Sequence, residues 1–166
     1  MAHRISVIGM GYVGIGNALM LGKQHQVSIV DLNQNKVEDF NSGILPIKES
    51  FAQSYLAEHE LEISATTNLN ESVKNSSFII LALPTNFDEK NFEYDTAAIE
   101  DVVEQVLKIN NKATIVIKST VNIGYTDILK QKFSTERIIF SPEFLREGNA
   151  LRDSLNPTRI IVGGRK

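Results

Sequence analysis

The residues Gly9-Met10-Gly11-Tyr12-Val13-Gly14 have the spacing G-x-G-x-x-G, and an acid, Asp31, stands twenty residues beyond Gly11. Spacing alone carries little, because glycines are common in turns. Here the motif directly follows an apolar, β-branched run, Ile5 to Ile8, and opens a helical pattern. Asp31 closes a second such run, Val27 to Val30. Strand, glycines, helix and acid in that order are suited to holding a dinucleotide. Gly9 permits a tight strand-to-helix turn, Gly11 has no side chain to keep a pyrophosphate away, and Gly14 lets helix and strand pack closely. The helix start then presents free N–H groups and a positive dipole end to the phosphates. Asp31 can accept hydrogen bonds from both ribose hydroxyls. It would repel a 2′-phosphate, and no arginine follows to neutralise one, so NAD is favoured over NADP. A flavin can use the same arrangement. The plain alternative is a set of turn glycines with Asp31 as a helix cap.

Two further groups could do chemistry. Pro84-Thr85 and Ser119-Thr120 fall at the carboxyl ends of apolar runs, where open parallel sheets bind their ligands. Glu143 and Glu147 are four apart, so a helical turn places both on one face, where repelling carboxylates favour acid–base work. Each has an ordinary reading beside it. Ser119 or Thr120 serves equally as a helix cap, Glu143 as a charge at a helix N-terminus, and Glu147 and Arg146 as solvated side chains. Lys36, in a charged helical stretch, reads as solvent-exposed. His3, His25 and His59 lack ligand-like spacing and there is no cysteine, so neither a metal site nor a disulfide framework nor thiolate chemistry is expected.

The elements that must position these groups alternate along the chain. Strands are predicted at Ile5–Ile8, Val27–Val30, Glu62–Ala65, Phe78–Leu83, Thr114–Ile117, Ile138–Phe140 and, ending at Gly163-Gly164, Ile160–Val162. The run FIILAL at 78–83 is continuously apolar, as in a strand covered on both faces. Between Thr96 and Ile109, Ile99, Val102, Val103, Val106 and Leu107 form one helical face, with Asp95 as the predicted N-cap. A shorter helix follows Gly124 with Ile128 and Leu129 inward. The segment Gly43 to His59 holds a helix of its own, and Asn86 to Asp95 is a polar surface excursion. The pattern is that of an α/β, Rossmann-type, doubly wound and mostly parallel sheet with helices on both faces. The 166 residues suffice for one such domain. With a formal charge of -3 there is no electrostatic reason to expect nucleic acid or an anionic membrane as partner. No run approaches the length of a membrane span and no signal peptide is visible, so a cytoplasmic protein is expected.

The ordered segments VIGMGYVG, VDLNQNKV, LALPTN, IKSTVNIGYT, SPEFLREGNALRD and NPTRIIVG resemble, over essentially the whole chain, the UDP-glucose/GDP-mannose dehydrogenase family. The glycine motif is shared with many dehydrogenases; SPEFLREG is far more specific. The resemblance implies an oxidoreductase that takes the C6 alcohol of a nucleotide-sugar, such as UDP-glucose, to a carboxylate with two NAD in succession. A cysteine adds to the intermediate aldehyde, the adduct gives up a hydride to become a thioester, and water hydrolyses it. By the same resemblance Val13, Asp31, Lys36, Thr85, Thr120 and Glu147 match NAD-contacting positions, completing the set begun by Gly9, Gly11, Tyr12, Gly14 and Pro84. Glu143, Phe144, Leu145, Arg146 and Glu147 match the loop that meets the substrate, and Thr120, Glu143 and Glu147 match positions that organise water and acid–base chemistry around C6. The family's nucleophilic cysteine, its oxyanion-stabilising lysine with the neighbouring asparagine, and the central helix on which members dimerise belong to a later part of the family's chain. Residues 1–166 are thus expected to be an NAD-binding domain that binds the cofactor but does not turn over alone. Alternatives are the same domain of a GDP-mannose or UDP-N-acetylhexosamine dehydrogenase, or a stand-alone NAD-binding regulatory module.

Overall fold

The computed structural model describes residues 1–163. Its strands form where β-branched residues run together: β1 (Arg4–Ile8), β2 (Gln26–Val30), β3 (Ile63–Thr66), β4 (Phe78–Leu81), β7 (Thr114–Ile117) and β8 (Ile138–Phe140). They pair in the order β3-β2-β1-β4-β7-β8, every pair parallel. The order reverses between β1 and β4, both of which continue into the loops that carry the glycine motif and Pro84-Thr85. A two-stranded ribbon, β5 (Phe87–Asp88) with β6 (Glu93–Tyr94), stands apart from the sheet.

Alternation along each strand feeds two cores. Ile5, Val7, Val27 and Ile29 pack on one face beneath α1 (Tyr12–Gly22), α2 (Gln34–Asn41), α3 (Ser50–Glu58) and α7 (Ala150–Leu155). Ile8, Val30, Ile79, Leu81, Ile115 and Ile117 pack on the other beneath α4 (Leu69–Val73), α5 (Ala97–Ile109) and α6 (Tyr125–Lys132). A parallel sheet covered on both faces is the arrangement that its apolar strands require. Ser6, fully buried on β1, is satisfied by the hydroxyls of Ser72 and Ser76 at 2.8 Å, which tie α4 to the sheet.

Several expectations are corrected. β4 ends at Leu81 rather than Leu83, because the chain turns away toward Pro84, which has no N–H to extend a ladder. Ile160–Val162 is not a strand: these residues are exposed, and the backbone bond that reaches the sheet edge comes from Gly163, whose N–H donates to the Phe140 carbonyl at 2.7 Å. The Gly164 end of that predicted strand lies outside the described residues. In α6 Leu129 is buried but Ile128 is 58% exposed, since an eight-residue helix against the edge strand buries only a narrow stripe. The N-cap residue of α5 is Thr96, with no side-chain bond; Asp95 still serves the first turn, its Oδ1 accepting the Ala97 N–H at 3.1 Å. Glu143 and Glu147 do not share a helical face, because residues 141–149 are not helical. The Arg146 N–H donates to the Asp153 carboxylate at 3.0 Å instead of to the carbonyl four residues back.

One long-range contact holds that irregular segment. Glu49, only 4% exposed at the start of α3, accepts the N–H of Ala150 and of Leu151, one on each carboxylate oxygen, at 3.0 Å. These are first-turn N–H groups of α7 that have no partner within their helix, so a distant carboxylate caps it. Glu49→Ala strands two buried donors and is expected to lower stability by about 2–3 kcal/mol, whereas Glu49→Gln, which keeps one acceptor, loses about half of that. Urea denaturation followed by circular dichroism checks both. Equal stability of Glu49→Ala and the unmodified chain would show that the cap carries no load.

Candidate dinucleotide site

The site begins where β1 meets α1. Gly9 has φ +108°, a conformation that L side chains rarely adopt, and a Cβ there would lie 2.4 Å from the Ala82 carbonyl oxygen. A Cβ on Gly14 would lie 1.8 Å from the carbonyl oxygen of Gly9. The turn therefore closes only with hydrogen at both places. Gly11 differs: its φ of -88° is ordinary, and a Cβ would meet nothing within 4 Å. Its hydrogen leaves open space on the outer side of the turn. The first intrahelical bond of α1 runs from Ile15 N–H to Gly11 O, at 2.9 Å. The N–H groups before it have no side-chain cap, and the first turn carries no acid. An uncapped, unneutralised N-terminus beside an empty approach fits a pyrophosphate.

Asp31 is held beside that turn. Its Oδ2 accepts the Met10 N–H and its Oδ1 the Asn33 N–H, both at 3.0 Å, and Lys36 Nζ lies 3.7 Å from Oδ2. Asn33 caps α2 by accepting from Asn35 and Lys36 N–H, which sets the helix and its lysine at this distance. Lys36 is therefore half-buried against Asp31 rather than free in solvent. Tyr12 and Val13, in the first turn of α1, are half-buried at the same edge.

The loops after β4 and β7 meet across the edge. Thr85 Oγ1 donates to the Thr120 carbonyl at 2.7 Å, with Pro84 and Thr120 exposed and Ser119 buried against the Leu81 carbonyl. Glu143 comes to the same edge from beyond β8. Its Oε1 lies 2.5 Å from Lys118 Nζ and accepts from Asn17 Nδ2 at 3.0 Å. Glu147 is exposed and makes no hydrogen bond or ion pair among the described residues. Phe144 is 47% exposed with the Arg159 guanidinium 4.0 Å from its ring centre, and Leu145 is half-buried. Arg146 clasps Asp153 through its own N–H and two guanidinium nitrogens, holding the Asp153 carboxyl at about 2. The clasp is thus intact at neutral pH and opens only as pH falls through that value.

Asn17, Lys118 and Glu49 are absent from the sequence reading. Signals existed for two of them: Asn17 is an amide within an apolar stretch of helix, and Lys118 is a charge that ends the apolar run TIVI beside Ser119-Thr120. A groove of about 300 Å³ lies toward the amino ends of β1 to β3, lined by Gln26, Ser28, Ser64 and Ser76 among others; no residue of the site lines it. Among the described residues no three His, Cys, Asp or Glu side chains gather as metal ligands, and no helix is long and apolar enough to cross a membrane.

A six-stranded parallel sheet with this glycine turn, this acid and these strand-end loops defines a dinucleotide-binding domain of the dehydrogenase type. Residues 3–166 match the model of the UDP-glucose/GDP-mannose dehydrogenase family, NAD-binding domain, and the chain belongs to that family of NAD-dependent nucleotide-sugar dehydrogenases. It is 43% identical over 162 residues to the UDP-glucose 6-dehydrogenase of Campylobacter jejuni, covering 96% of this chain and 41% of that protein. Against the enzyme of the same name from Streptococcus pneumoniae it is 42% identical over 160 residues, with the same coverage of 96% and 41%. Among solved structures, a UDP-glucose dehydrogenase from Pyrobaculum islandicum superposes with a TM-score of 0.86 at 28% identity, over 98% of this chain and 41% of that one. A GDP-mannose dehydrogenase from Pseudomonas aeruginosa gives 0.82 at 27%, over 96% and 40%. The chain thus spans about two fifths of the length of the relatives it matches.

Gly11→Val is expected to fold, because its side chain enters open space, and to bind NAD on the order of 100-fold more weakly. That is the effect of losing one or two charge-assisted hydrogen bonds at about 1.5–3 kcal/mol each. Circular dichroism with calorimetric titration checks this. A folded variant with ordinary NAD affinity would move the cofactor elsewhere.

Proposed function

We propose that residues 1–166 are the cofactor half of a UDP-glucose 6-dehydrogenase. The observation that carries this reading is the convergence, at one edge of the sheet, of an open glycine turn with the strand-end threonines and Glu143. The cofactor side needs an anion site, a ribose acceptor and a wall. The N-terminus of α1 with Gly9, Gly11 and Gly14 supplies the first, Asp31 the second, and Tyr12, Val13, Lys36, Pro84 and Thr85 flank them. Held by these residues, NAD would supply the hydride acceptor for oxidation of the sugar carbon. The chain's own part is to orient it, and to hold water and protons near C6 through Thr120, Glu143 and Glu147, with Phe144, Leu145 and Arg146 beside the sugar nucleotide.

UDP-glucose is proposed as substrate because the two bacterial relatives at 43% and 42% identity carry that activity in their names. A GDP-mannose or UDP-N-acetylhexosamine substrate is the alternative within the family. On this reading the nucleophilic thiol, the rest of the sugar pocket and the dimer contact reside in the part of the relatives that this chain does not span. There is no cysteine among the 166 residues, and the second oxidation needs a thiol to hold the aldehyde.

Calorimetric titration tests the cofactor side. The chain should bind NAD at least about tenfold more tightly than NADP, and Asp31→Ala should weaken NAD by about 10- to 100-fold while narrowing that preference, as expected for lost hydrogen bonds to a carboxylate. Equal or tighter NADP binding by the unmodified chain would overturn it. Absorbance at the NADH band tests the division of labour: the pure chain with UDP-glucose and NAD should show no sustained NADH. Two NADH per UDP-glucuronate would place the whole machinery within these residues.

A further inference from the structure

Glu143 is the meeting point of three elements that are distant in sequence. Asn17, on α1 and 2% exposed, donates through Nδ2 to the Val13 carbonyl at 2.8 Å and to Glu143 Oε1 at 3.0 Å. An amide nitrogen carries two hydrogens, so both are used. Lys118, at the end of β7, places Nζ 2.5 Å from the same Oε1 and 3.4 Å from Ser141 Oγ at the end of β8. The side chains of Lys118 and Glu143 are only 14% and 19% exposed. The bridge is therefore not a flexible surface pair of the kind that contributes little.

The count at the carboxylate is informative. Oε1 accepts one hydrogen bond, from Asn17 Nδ2, and has the Lys118 ammonium beside it as an ion pair. No hydrogen bond reaches Oε2 among the described residues. Oε2 is thus the carboxylate oxygen left without a hydrogen bond and open to one from a ligand.

We propose that Lys118 and Asn17 are positioning residues for the nucleotide-sugar oxidation: they converge on Oε1 of Glu143 and leave Oε2 as the oxygen through which that carboxylate meets a ligand. The inference rests on the functional reading above for what Oε2 faces. It also links the two halves of the edge, because the amide that grips Glu143 also grips Val13 in the first turn of the cofactor helix.

Solution NMR of the chain tests it. Asn17 should give a resolved, slowly exchanging side-chain amide pair, and the backbone amides of Arg146 and Asn149, which are hydrogen-bonded, should be protected. Lys118→Met should return the Asn17 pair to the position of a solvated amide and speed exchange in 143–149 by at least about tenfold, the effect of removing one partner of a largely buried ion pair. Lys118→Arg should restore both to within about threefold, which a merely space-filling lysine would not predict. Glu143→Gln, which keeps shape and removes charge, should loosen the same segment with the sheet resonances unchanged, and it decides the matter if Lys118→Met does not fold. An unaltered Asn17 signal and unaltered exchange in Lys118→Met, or in Glu143→Gln, would overturn the proposal. Titration of the unmodified chain with NAD is read separately. Failure to bind NAD would remove the functional reading while leaving the bridge, and loss of the bridge with NAD binding intact would do the reverse.

Discussion

The carbonyl oxygen of Gly9 occupies the space that a side chain on residue 14 would need, 1.8 Å from where that Cβ would sit. Everything at the carboxyl edge depends on this contact. It brings the first turn of α1 down against the end of β1, at the place where the strand order reverses between β1 and β4. The same closeness presses Gly9 on the Ala82 carbonyl, so the loop after β4 begins against the glycine turn. Met10, almost fully buried beneath the turn, gives its N–H to Asp31. The acid that would face a ribose is thereby part of the turn's own hydrogen bonding. Site and fold are one constraint here, and a side chain at Gly9 or Gly14 breaks both together.

From that fixed point the irregular part of the chain is held by carboxylates acting over long sequence distances. The segment 141–149 has no ladder or helix to define it. Glu143 is gripped by α1 and β7, Arg146 by Asp153 within α7, and the first N–H groups of α7 by Glu49 from α3. α7 in turn packs along α1. Glu49 is the buried one among these acids, and it accepts from two buried N–H groups that would otherwise be unpaired, which is why its charge can sit inside. This irregular segment is fixed in place by ties at several points rather than by regular structure.

The parts legible in the sequence are those where local chemistry decides the structure. The β1–α1–β2 unit follows from glycines that must be glycines and from an acid at a strand end. β4 and β7 follow from continuous apolar runs, and α5 from a stripe in which Ile99, Val103 and Val106 are all buried. What escaped was set by tertiary contact. Ile128 and Leu129 are equally apolar, and only the position of α6 against the sheet edge decides that one is buried. The two-residue strands of the 87–94 ribbon are too short to leave an alternating pattern. Glu49 reads as an ordinary residue before a helix, since its partners lie about a hundred positions further on. Of the site, the turn, Asp31 and the strand-end threonines were legible. Asn17 and Lys118 were not, because their importance comes from the carboxylate they share.

Glu143 and Glu147 show why spacing is a weak guide to chemistry. Four residues apart, they suggest one helical face and a pair of carboxylates in mutual repulsion. Pro142 precedes them and Gly148, at φ +79°, follows, and the Arg146 N–H is taken by Asp153, so no helical turn forms between them. They end in different surroundings. Glu143 is enclosed beside an ammonium and an amide, and Glu147 stands in solvent without a partner among the described residues. Two identical side chains in unlike environments are suited to unlike tasks. The enclosed carboxylate, committed on one oxygen, is a fixed acceptor at the edge of the cofactor helix. The exposed one is held by no contact among the described residues. The difference between them is thus written in the contacts of Oε1, not in the interval between the two acids.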